Sequence, residues 1–76
     1  MKDFMNDKEL SPAAKQILHN LIYQWGNQTT MNNEDIGAKI SKNGVTVSKA
    51  IKQLAEEKYI SVLYYQNGEN RQIIVI

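Results

Sequence analysis

From Ser11 to Trp25 the apolar side chains Ala13, Ala14, Ile17, Leu18, Leu21, Ile22 and Trp25 return at helical spacing and form one broad stripe that another element must cover. Ser11-Pro12 marks the start, because a serine hydroxyl accepts from orphan amides and proline is tolerated at the first helical position. The helix is expected to reach about Trp25, with Gly26 and Asn27 ending it. Gln28 to Met31, with its β-branched Thr29 and Thr30, reads as a brief strand. A second start signal follows. With Asn32 as the cap, Asp35 stands as in a capping box, and Met31 and Ile36 occupy the staple positions. Glu34 and Asp35 suit the positive end of the dipole of a short helix, about Asn33 to Ile40. Ser41 to Asn43 then turns tightly. Asn43 caps a third helix that carries Val47, Ala50, Ile51 and Leu54 at i, i+3, i+4 and i+7 and ends near Lys58.

The period changes at Tyr59. Ile60, Val62, Leu63, Tyr64 and Tyr65 precede Gln66-Asn67-Gly68-Glu69, and Ile73 to Ile76 follows; an Asn-Gly pair between two such runs predicts a hairpin with a type I′ turn. Tyr64 and Tyr65 alternate in direction, so at least one is expected to pack on the body. Residues 1–10 show no sustained period, and Phe4, Met5 and Leu10 are expected to dock as an arm or a short helix ahead of a domain spanning 11–76.

Composition narrows the function more than the fold. A chain of 76 residues supports one core, and the absence of cysteine excludes disulfides and thiolate metal sites, which fits a cytoplasmic protein. The longest apolar runs are too short to span a bilayer, so no membrane partner is expected. The single histidine, His19, leaves a transition-metal site or a Ser-His-Asp arrangement poorly supplied. Gly26, Gly37, Gly44 and Gly68 are scattered and make no phosphate-cradling loop, and the adjacent Glu56 and Glu57 diverge on a helix. No catalytic constellation and no cofactor emerge. Net charge is only +1, but Ile36 to Ala55 holds Lys39, Lys42, Lys49 and Lys52 with no acid at all.

The segment Ile36 to Ile60 resembles the helix-turn-helix of winged-helix DNA-binding proteins, with Ile36, Ile40, Val47, Ile51, Leu54 and Ile60 on the family's core positions. With helix one, the short strand and the hairpin included, the resemblance runs from Ser11 to Ile76. It implies an α+β winged helix-turn-helix: three helices, a small antiparallel sheet and a C-terminal β-hairpin wing. Small plasmid and phage regulators and TubR-like partition proteins are members of the same kind. The chain departs from the family pattern at Lys42, usually an apolar turn residue, at Ser41, often glycine, and at Lys58, usually the glycine that ends the recognition helix. The last departure predicts a non-glycine residue at positive φ, at a cost of around 1 kcal/mol.

At 100° per residue, Val45, Lys49, Lys52 and Glu56 face away from the third helix's buried stripe, with Thr46, Ser48 and Gln53 on the flanks. The resemblance implies that this surface, with Lys42 and Asn43 of the turn, reads the DNA major groove, the bland alternative being a solvated helix face. It also implies that Asn67 and Arg71, beside Gln66 and Asn70, bring the wing to the DNA backbone; otherwise Arg71 stacks on Tyr64 or Tyr65. Helix one presents Lys15, His19 and Tyr23, with Gln16 beside them, as a self-association face or a solvated one. The expected partner is double-stranded DNA, bound by a homodimer or array. The fold also serves replication initiators, of which this would be an amino-terminal piece, and protein-docking modules.

Overall fold

The computed structural model describes residues 3–65 and 70–76. After a single 3-10 turn, Phe4–Asn6, come α1 (Pro12–Tyr23), β1 (Gln28–Thr29), α2 (Asn33–Ile40), α3 (Gly44–Glu56), β2 (Ile60–Tyr65) and β3 (Asn70–Val75). The strands form one antiparallel sheet of order β1-β3-β2. Three helices with α2 and α3 joined by a short turn, backed by this sheet and its C-terminal hairpin, make the α+β winged-helix architecture. Among the described residues no helix is long and apolar enough to cross a membrane.

Each helix starts where its cap residue stands. The Ser11 hydroxyl accepts from the Ala14 N–H, the Asn32 Oδ1 from Asp35 N–H and the Asn43 Oδ1 from Thr46 N–H, at 3.2, 2.8 and 2.8 Å. The ends differ slightly from expectation. α1 stops at Tyr23, not Trp25, because the N–H groups of Trp25 and Asn27 already fold back to the carbonyls of Asn20 and Leu21 while Gly26 and Asn27 adopt φ of +68°. β1 covers two residues, not four, since the Thr29 hydroxyl accepts from Met31 N–H and bends the chain toward the cap of α2. Ser41 and Lys58 take the left-handed conformation at φ of 58° and 64°, so both carry the strain that a side chain meets there.

The core gathers Ile17, Leu18 and Leu21 of α1, Ile36 of α2, Val47 and Leu54 of α3, and Ile60 and Ile73 of the sheet, all less than 2% exposed. Its α3 contribution is the stripe at i, i+3, i+4 and i+7. The amino-terminal arm joins this core through Phe4 and Leu10, whereas Met5 stays 52% exposed. The tyrosine expectation fails: Tyr64 is 67% and Tyr65 44% exposed, so neither packs on the body. Tyr65 instead donates its hydroxyl hydrogen to Gln72 Oε1, whose amide in turn donates to Gln28 Oε1 across the sheet. Strand register runs from Ile60 opposite Val75 to Tyr65 opposite Asn70. The Asn67-Gly68 turn lies outside the described residues.

Tyr59 ties the arm to the end of α3. Its hydroxyl donates to the Asp7 carboxylate across 52 residues of sequence. That bond, then burial, then the negative charges of Asp7, Glu57 and Asp3, push its pKa from an ordinary 10.0 up to about 12. A raised value in the folded state means that the neutral phenol contributes stability fully below the unfolded pKa and loses that contribution as pH climbs through the folded one. Denaturant unfolding followed across alkaline pH should therefore show stability falling between pH 10 and about 12. Tyr59→Phe should remove this part of the pH dependence, and an unchanged slope would show that the Tyr59–Asp7 contact contributes nothing.

Candidate nucleic-acid interface

The turn between α2 and α3 is held by an unusually close backbone approach. A Cβ on Gly37 would lie 2.3 Å from the Lys42 carbonyl oxygen, and the Lys42 N–H donates back to the Gly37 carbonyl at 2.9 Å. Only a residue without a side chain lets the turn lie this tightly on α2. That closeness sets the position of Asn43, whose capping bond starts α3 and fixes which of its faces points outward. The sequence held one clue to it, a glycine inside a helix, where it costs about 1 kcal/mol relative to alanine.

On α3, Val45 is 66% exposed, and Ser48, Lys49 and Lys52 are exposed beside it. Lys39 and Lys42 add exposed ammonium groups from α2 and the turn. Thr46 is half-buried and its backbone N–H belongs to the cap, while Asn43 is exposed with its oxygen held in the same bond. Gln53 departs from the expected group. Its Oε1 accepts the Ser11 N–H at 2.7 Å, so it braces the start of α1 against α3. The remaining surface has cations, a hydroxyl and a methyl-bearing side chain, and its first acid is Glu56, at the helix's last residue.

The wing contributes differently from expectation. Arg71 pairs with Tyr64 in strand register, but its guanidinium stacks on neither tyrosine ring; it donates from Nη2 to the Met31 carbonyl at 3.4 Å. It is half-buried at the wall of a cleft of about 500 Å³ between the wing and the start of α2, lined also by Thr30, Asn33, Glu34, Asp35 and Tyr64. Two buried atoms there have no hydrogen-bond partner, Arg71 Nε and Asn33 Oδ1. Burial lowers the Arg71 pKa below the ordinary arginine value, with Tyr64 acting in the opposite direction. The carboxylates of Glu34 and Asp35 line the same cleft, so the Arg71 charge is set among acidic side chains. Sequence reasoning placed Arg71 near the tip and missed both its brace to Met31 and its neighbour Asn33. The other wing candidate, Asn67, lies outside the described residues.

On helix one, His19 and Tyr23 are exposed and their rings lie 4.8 Å apart, while Lys15 is half-buried. No family model, curated protein or solved structure matches the chain.

Proposed function

We propose that the protein binds duplex DNA, setting the first turns of α3 into the major groove with the wing alongside the flanking backbone. The observation that carries this reading is the outward surface of α3: exposed Val45, Ser48, Lys49 and Lys52, acid-free until Glu56 and preceded by exposed Lys42. Ammonium groups suit phosphates, while Ser48 and Thr46 have hydroxyls suited to base edges.

With a net charge of +1, one copy neutralises few phosphates and binds weakly. Specific occupancy then comes from copies acting together, as a dimer or an array on operator- or centromere-like sites, in a regulator or a DNA-partition adaptor. A duplex with several sites should be filled cooperatively, with an isolated site weaker by about tenfold or more, a coupling of about 1.4 kcal/mol. Titration of labelled one-site and multi-site duplexes at several salt concentrations tests both statements. Saturation of a one-site duplex by a single copy at low concentration, with no gain from added sites, would overturn the array. Binding that ignores salt and the α3 lysines would overturn the DNA reading and favour a protein partner.

Arg71→Ala separates the wing's two roles. Loss of the Met31 brace should cost about 1 kcal/mol, roughly 4–8 °C in melting temperature. If Arg71 also meets DNA, affinity should fall more for duplexes extending past the major-groove site than for short ones. A lowered melting temperature with unchanged affinity would confine Arg71 to bracing.

A further inference from the structure

The sheet has two edges, the two-residue β1 and the six-residue β2, and only β2 is long enough to offer a ladder to another strand. In the order β1-β3-β2, β2 pairs with β3 on one side only, and among the described residues no backbone hydrogen bond joins its other side to another element. Natural edge strands are normally guarded by charge, proline, a bulge or shortness. β2 has none of these guards. Its six residues, Ile-Ser-Val-Leu-Tyr-Tyr, are uncharged and proline-free, and they pair with β3 without a break in register. Leu63, Tyr64 and Tyr65 are 45, 67 and 44% exposed, an apolar surface concentrated on the unguarded strand.

We infer that this edge pairs with β2 of a second copy of the chain, antiparallel about a two-fold axis, so that the two three-stranded sheets become one. Backbone edges select an extended strand as partner, and an uncharged strand meets its own copy without repulsion. In the register that places Leu63 opposite its counterpart, Val62 faces Tyr64 and Ser61 faces Tyr65 of the second copy. Opposed residues then lie on the same side of the joined sheet, as the pleat requires. A six-residue edge covers less than the roughly 800 Å² per partner of a standard stable interface. The pairing is therefore weak in the free protein and strengthened where copies are held close together. It is a property of the chain itself and does not rest on the DNA reading.

Amide hydrogen exchange at low and high protein concentration, with sedimentation alongside, tests the pairing. Every second β2 amide should gain protection of about tenfold or more in the associated form, because alternate N–H groups point to the open edge. Leu63→Lys sets two ammonium groups directly opposite each other and should abolish that protection and the multi-site cooperativity, with the melting temperature of the monomer moving by no more than a few degrees. Leu63→Glu, which sets two carboxylates directly opposite each other, serves as the second variant should Leu63→Lys fail to fold. Tyr23→Lys, on the outer face of α1, should change nothing. A protein that stays monomeric at high concentration with unprotected β2 amides overturns the inference, as does association that Tyr23→Lys removes and the β2 variants spare. Association through β2 without duplex binding leaves this inference standing and removes only the DNA reading.

Discussion

Gly37→Ala is expected to destabilise the protein by about 3 kcal/mol or more, lowering its melting temperature by roughly 12–24 °C. By helix propensity alone the change would be favourable by about 1 kcal/mol. Packing decides the opposite sign. The new methyl would sit 2.3 Å from the Lys42 carbonyl oxygen and 3.5 Å from Val47 Cγ2, and the closer of these atoms is backbone, which has no rotamer to yield. Moving that carbonyl disturbs the Lys42 N–H bond to Gly37 and the Asn43 cap one residue later, so strain passes into the start of α3. Gly44→Ala is the natural control. A Cβ there meets only Asn33 Cβ, at 3.9 Å, and the variant should be neutral or slightly stabilised. Denaturant unfolding of both variants checks this, and equal stabilities would show that the turn does not need its glycine.

Replacing Lys49 and Lys52 together with alanine should weaken duplex binding by about tenfold or more and reduce the slope of log affinity against log salt by about 2, one for each phosphate left without its ammonium partner. Both ammonium groups are exposed on a helix whose buried side is complete without them, so the melting temperature should not move by more than about a degree or two. Thr46→Ala or Ser48→Ala should instead shift which duplex sequence is preferred at nearly constant salt dependence, since hydroxyls facing base edges release no counterions. Undiminished affinity in the double-lysine variant would remove α3 as the contact surface.

The caps, the helical stripes and the change of period at Tyr59 were legible because each is a local property: the residues that make the signal also make the structure. Asn32 and Asn43 cap their helices by bonding amides three residues away, and Val47, Ala50, Ile51 and Leu54 share one face whatever they pack against. The outward position of Val45, Lys49 and Lys52 follows from the same geometry. Gln53 shows where this reasoning ends. Its place on the flank of α3 was correct, but its partner is the Ser11 amide, 42 residues earlier, and no helical period encodes that.

The sequence by itself determined the order of elements, their starts, the buried side of each helix and the basic character of the α3 surface, because helix period, capping and charge act over a few residues. Only the tertiary structure decided the contacts between distant segments. It brought Tyr59 to Asp7, Arg71 to the Met31 carbonyl, and the Lys42 carbonyl so close to Gly37 that no side chain fits. It also left Tyr64 and Tyr65 in solvent and placed β2 at the edge of the sheet. Such contacts depend on how packed elements approach one another, which alternation along a single strand or helix does not specify.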